Sequence, residues 1–133
     1  FTRKAWFTNS LNYYLSCMFF NAFPLPQREA GTRQTLRYVG EVTGDGYSVL
    51  IFPEGRRSDS DVLPFRPGIG MMGARLGVPV VPVRLEGLEK VLHPTWKWPR
   101  RGPVRVSFGA PIHLSGEDYP ALAKQVEDAV RAL

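Results

Sequence analysis

The chain has 133 residues, the length of one domain, and at 44% hydrophobic and 22% charged residues it carries too many large apolar side chains for a disordered segment. A formal net charge of +5 and a pI near 9.7 favour anionic partners, whether phosphates, acidic lipid headgroups or nucleic acid, without choosing among them. The single cysteine, Cys17, excludes an intrachain disulfide, and with only two histidines a zinc site is not expected.

The first residue is Phe1, so the chain is expected to start inside a longer polypeptide or to have been processed, and no signal-peptide layout is visible. Residues 2–21 place Phe7, Leu11, Tyr14, Leu15 and Met18 at helical spacing, which predicts an amphipathic or largely buried helix. Asn9, Ser10, Asn12 and Ser16 interrupt it too often for a membrane span. Ala22 to Leu25 suits a short strand, which Pro24 and Pro26 keep extended. Glu29 to Thr43 reads as a helix with Leu36, Val39 and Val42 on one face and Gly44 as its C-terminal cap.

Gly44-Asp45-Gly46 is a turn, and Tyr47 to Phe52 (YSVLIF) reads as a strand buried on both faces. A polar loop from Arg56 to Pro67 leads into a short helix, Gly68 to Leu76, capped by Gly77. Val78 to Leu85 (VPVVPVRL) is a further buried strand, made irregular or confined to an edge by its two prolines. Gly87 to Arg101 is a loop, Val104 to Phe108 a strand, and Asp118 to Leu133 a closing helix with Leu122, Val126, Ala129, Val130 and Leu133 on its apolar face. Strands alternating with helices imply an α/β fold with a mostly parallel sheet flanked by helices, in a single domain over residues 1–133.

Three runs concentrate chemistry. Phe52-Pro53-Glu54-Gly55-Arg56-Arg57-Ser58 sets an acid, a glycine and two arginines at the carboxyl end of a strand, where open α/β sheets bind ligands. The arginine fork matches phosphate oxygens, glycine lets the backbone come close, and Glu54 can orient an arginine or accept from a substrate hydroxyl. A solvated turn with a surface ion pair fits the same residues equally well. Arg28 follows a short strand and precedes a helix, a place where phosphate meets both a guanidinium and free N–H groups; a surface pair with Glu29 fits these residues at least as well. The third run, Val78 to Val83, by itself means a buried strand with unusual prolines.

Together these runs resemble the 1-acylglycerol-3-phosphate O-acyltransferase family. Arg28 matches its arginine motif. FPEGRRS at 52–58 matches F-P-E-G-T-R-S, with Arg56 in place of threonine, and Val78 to Val83 matches the proline strand. Phe65-Arg66-Pro67-Gly68 looks like the family's F-K-x-G turn, and Phe108 to Ile112 like its F-G-x-P-I strand end. The resemblance covers roughly residues 20 to 133, and motifs in this order form a specific pattern.

The resemblance implies an acyltransferase that moves a fatty acyl group from acyl-CoA or acyl carrier protein to a lysophospholipid or glycerol-phosphate hydroxyl, with no cofactor and no metal. Arg28 and Arg57 would bind the acceptor phosphate, Glu54 and Gly55 would shape that pocket, and Pro82 would belong to the acyl side of the site or to its framework. The family's first motif, N-H-x-x-x-x-D, supplies the general base. No such run precedes Arg28, so the motif is expected upstream of Phe1 and residues 1–133 alone are expected to be inactive. His113 and Asp118 repeat the H-x-x-x-x-D spacing, but after the proline strand and without the asparagine; there the expectation is a loop with Ser115 or Asp118 capping the last helix.

Trp96, Trp98, Lys97, Arg100 and Arg101 suit a membrane interface, consistent with an enzyme peripheral to, or anchored at, the cytoplasmic membrane face. A non-catalytic phosphate- or lipid-binding module is the alternative. Nucleic acid is not an expected partner, because the aromatics lie mostly in apolar runs.

Overall fold

The computed structural model describes residues 14–15, 17–19, 32–55, 62–92 and 98–133. The chain divides into two compact units, Phe1–Glu41 and Val42–Leu133. Residues 14–15 and 17–19 are helical, as their spacing predicts. Their large apolar side chains are not buried: Tyr14, Met18 and Phe19 are strongly exposed, and Cys17 is half-buried. No helix among the described residues is long and apolar enough to cross a membrane.

Helix α1 spans Thr32–Gly44 and turns Val39 inward, with Leu36 and Val42 half-buried beside it. The cap differs from expectation. Gly44 lies within the last turn, and Gly46 takes the left-handed conformation at φ +86°. The Tyr47 amide donates to the Val42 carbonyl at 3.2 Å and the Gly46 amide to Thr43 at 3.1 Å, the paired bonds of a Schellman cap. The positive φ, which only glycine adopts at little cost, decides which of the two glycines ends the helix.

Residues 47–52 run without hydrogen-bonded ladder partners among the described residues, in place of the expected doubly buried strand. Only one face is covered. Ile51 packs against the core and Val49 is half-buried, while Tyr47, Leu50 and Phe52 are exposed. From Val49 to Phe52, alternation at period two gives the run one inward and one outward face.

Helix α2, Gly68–Leu76, has the expected bounds, and Gly77 caps it at φ +64°, its amide donating to Gly73. Helix α4, Tyr119–Arg131, begins at Asp118, whose Oδ1 accepts from the Ala121 amide at 3.1 Å. The two helices approach at Gly70, where a side chain would run into the Tyr119 carbonyl and the Ala123 amide. Ile69, Leu114, Ala123 and Val126 form the buried core at this contact, with Phe65, Val80, Ile112 and Leu122 packed around it.

The strands are shorter than the apolar runs suggest. β1 (Val83–Glu86) pairs antiparallel with β2 (Arg105–Phe108), through register pairs from Val83–Phe108 to Glu86–Arg105. A one-turn helix, α3 (Leu88–Val91), lies in the connection. The expected strand from Val78 is interrupted because Pro79 and Pro82 have no N–H to give a ladder. Upstream of Pro82 pairing resumes only at Val80, which exchanges bonds of 2.9 and 2.8 Å with Ile112. Between these pairs Val81 and Pro82 lie opposite Gly109, Ala110 and Pro111, so the ribbon carries a one-residue bulge. Arg84 Nη1 donates to the Arg131 carbonyl at 3.0 Å, which fastens the ribbon to the C-terminal end of α4.

Candidate functional site

The site predicted from sequence centres on the turn that follows residues 47–52. Pro53 and Glu54 form the turn, and the Gly55 amide donates back to the Phe52 carbonyl at 3.3 Å. Gly55 sits at φ +70°, left-handed backbone where an L side chain is strained. Glu54 is half-buried, and its Oε2 accepts from the Leu63 amide at 3.1 Å. The carboxylate thus spans the base of the polar loop it precedes.

Three further bonds close that base. The Arg66 amide donates to the Pro53 carbonyl at 3.0 Å. The Phe65 amide donates to Glu127 Oε2 at 3.0 Å. Arg131 Nη2 donates to the Val62 carbonyl. Residues 62–66 are therefore held from one side by the turn and from the other by α4. Arg57 falls between these two ends in sequence; both it and Arg28 are outside the described residues.

Glu127 has no part in the sequence-level expectations. It stands on the buried stripe of α4 with Ala123, Val126 and Val130, and is only 5% exposed. Its Oε1 receives the Lys124 ammonium at 2.9 Å and the Arg131 Nε at 3.0 Å. The Phe65 amide first, then the Lys124 ammonium and the Arg131 guanidinium, hold its carboxyl at about 2 against the opposing effect of burial. The signal in the sequence is an acid at helical spacing within an apolar stripe, with cations three residues before it and four after it.

Arg66 is the second residue whose position the motifs did not convey. Its guanidinium lies over Gly55, in the space a β-carbon there would occupy. The glycine therefore serves two purposes: it supplies the left-handed turn and admits the arginine.

The remaining predicted residues lie elsewhere. Pro82 is buried at the ribbon's bulge, its carbonyl accepting from the Gly109 amide at 2.9 Å. His113 is exposed between Ile112 and the buried Leu114. Asp118, five residues on, uses its carboxylate to cap α4, as expected of the late H-x-x-x-x-D spacing. An open groove lined by Glu86, Gly87, Lys90, Pro103, Arg105 and Val106 includes none of the predicted residues. Among the described residues no group of histidine, cysteine and carboxylate side chains is placed to hold a metal.

A family model described as Acyltransferase matches residues 2–86, which include the whole turn and the start of the ribbon. The chain is 42% identical over 86 residues, 62% of its length, to a chloroplastic 1-acyl-sn-glycerol-3-phosphate acyltransferase of Brassica napus, of which it covers 25%. It is 31% identical over 110 residues, 79% of its length, to the human 1-acyl-sn-glycerol-3-phosphate acyltransferase beta, covering 40% of that protein. A chloroplastic 1-acyl-sn-glycerol-3-phosphate acyltransferase of Arabidopsis thaliana is 41% identical over 86 residues, with 24% of its length covered. The chain thus spans two fifths or less of the length of these relatives. No solved structure matches it.

Proposed function

The chain belongs to the acyltransferase family, and from that membership we propose that the protein it comes from acylates the free hydroxyl of a lysophospholipid or glycerol phosphate. The observation that carries this reading is the closed loop base at Glu54–Arg66. Bonds at Pro53, Glu54, Val62 and Phe65 fix both ends of the segment that carries Arg57. A guanidinium delivered from an anchored loop meets a phosphate with less ordering entropy to lose.

In the proposed reaction the acceptor hydroxyl oxygen attacks the thioester carbonyl of acyl-CoA or acyl carrier protein. A C–O bond forms, the C–S bond breaks, and the hydroxyl proton leaves through a general base to the departing thiolate. The residues of this chain contribute recognition. Arg57 and Arg28 hold the acceptor phosphate, Gly55 gives the backbone close approach, and Glu54 keeps the loop in place. Neither residue of the His113–Asp118 pair is assigned the base, since Asp118 is occupied at the helix cap. The base is assigned to an N-H-x-x-x-x-D motif outside residues 1–133. The enzyme would work at the membrane face where its lipid acceptor resides; the strongly exposed Trp98, near Arg100 and Arg101 in sequence, supports this.

For the fold, we propose that in the full-length enzyme residues 47–52 and 78–83 lie as neighbouring parallel strands. Ile51 and Val80 already pack on one core cluster, which supports that placement.

Arg57→Lys in the full-length enzyme tests the site. Lysine keeps the charge and loses the bidentate fork, so the acceptor KM should rise about tenfold with the donor KM unchanged. A defect confined to the donor, or a larger effect from Arg56→Ala than from Arg57→Ala, would remove Arg57 from the acceptor site.

A further inference from the structure

We propose that Arg66 is a further cation of the acceptor-phosphate subsite, placed there by Gly55 and fixed through Glu127; this rests on the reading of the FPEGRRS motif as that subsite. The placement comes first. The Arg66 guanidinium lies directly over Gly55, on the side where any other residue would carry a β-carbon. Its backbone is tied to the same turn by the amide bond to Pro53 at 3.0 Å. The side chain is exposed, and among the described residues no carboxylate pairs with it. Its nearest acid in the turn, Glu54, spends Oε2 on the Leu63 amide at 3.1 Å. A cation held against a glycine at the mouth of a ligand-binding turn has its donors open to an incoming anion.

Arg66 is also anchored from behind. The amide of its neighbour Phe65 donates to the buried Glu127, a carboxylate further held by Lys124 and Arg131. Glu127 touches no substrate in this scheme. It is a positioning residue that sets where Arg66 stands relative to Gly55.

Three changes in the full-length enzyme separate the roles, with Arg57→Ala as reference and acyl-CoA and lysophosphatidate as the two varied substrates. Arg66→Gln should raise the acceptor KM by about tenfold or more, while the donor KM stays within about twofold. Arg66→Lys should fall between wild type and Arg66→Gln, because charge survives but the fork does not. Gly55→Ala leaves every charge in place and displaces the guanidinium, so it should shift the acceptor KM in the same direction. Melting temperatures of the three variants establish that each is folded, and Arg66→Lys remains informative if Gly55→Ala is not.

An unchanged acceptor KM in Arg66→Gln, with a raised one in Arg57→Ala, overturns the inference and leaves the subsite standing. A change confined to the donor KM overturns it in favour of a donor contact. No effect on the acceptor from either arginine overturns the subsite itself.

Discussion

Replacing Glu127 by glutamine isolates the charge that holds the loop base. The residue is 5% exposed and its carboxylate receives three donors: the Phe65 amide at 3.0 Å, Lys124 at 2.9 Å and Arg131 at 3.0 Å. Glutamine keeps one oxygen, either for the Phe65 amide or for Lys124 and Arg131, and turns an NH2 toward the rest. The Glu127 carboxyl is held at about 2 in the folded chain, against an ordinary 4.5, by the Phe65 amide and then the two cations. That difference corresponds to on the order of 3 kcal/mol of stability at neutral pH. Because Lys124 and Arg131 are partly solvated, a loss of about 2 kcal/mol is the more realistic expectation for the variant. The sign follows from proton binding. Between about 2 and 4.5 the unfolded chain binds the proton that the folded chain does not. The stabilisation is therefore complete above 4.5 and declines as pH falls toward 2.

Urea denaturation of the full-length protein at pH 7 and across pH 2–5 measures this, with hydrogen exchange of residues 62–66 as the local readout. The variant should be less stable at pH 7, should lose less on acidification, and should exchange the Phe65 amide faster. Equal acid sensitivity in the two proteins, with Phe65 equally protected, would refute the view that Glu127 clamps the loop.

The two glycines at the end of α1 should respond in opposite ways. Gly44→Ala lies in helical backbone with open space around the new methyl group, and should stabilise by about 0.5–1 kcal/mol. Gly46→Ala meets equally open space but at φ +86°, and should cost about 1–2 kcal/mol; thermal denaturation separates the two. His113→Ala should retain most acyl-transfer activity in the full-length enzyme, since Asp118 serves the helix cap. A loss of several orders of magnitude with unchanged circular dichroism would instead place the base at His113.

Where one local rule decides an element, the sequence was sufficient. Gly68–Leu76 and its Gly77 cap follow from apolar spacing and the left-handed glycine. Where two rules compete, it was not. Gly44 and Gly46 both suit a cap, and only the backbone angle separates them. Val78 to Leu85 is apolar enough for one continuous strand, yet two missing N–H groups and a bulge divide it at Pro82. The run 47–52 looked buried on both faces because composition does not report which neighbours are present.

At the site the motif named Glu54 and Gly55 but not their tasks. Glu54 bonds to an amide nine residues away, and Gly55 makes room for a side chain eleven residues away. Glu127 is 62 residues from the amide it holds, a separation that no local pattern spans.

The most direct test of the proposed function compares two acceptors offered to the full-length protein with a labelled acyl-CoA: a lysophosphatidate, and the monoacylglycerol that lacks its phosphate. Acyl transfer to the phosphate-bearing acceptor should exceed transfer to the other by at least about tenfold in kcat/KM, and Arg57→Ala should erase most of that preference. Equal transfer to both acceptors, or a preference that survives the loss of Arg57, would contradict the assignment of the FPEGRRS turn as the phosphate-recognition element.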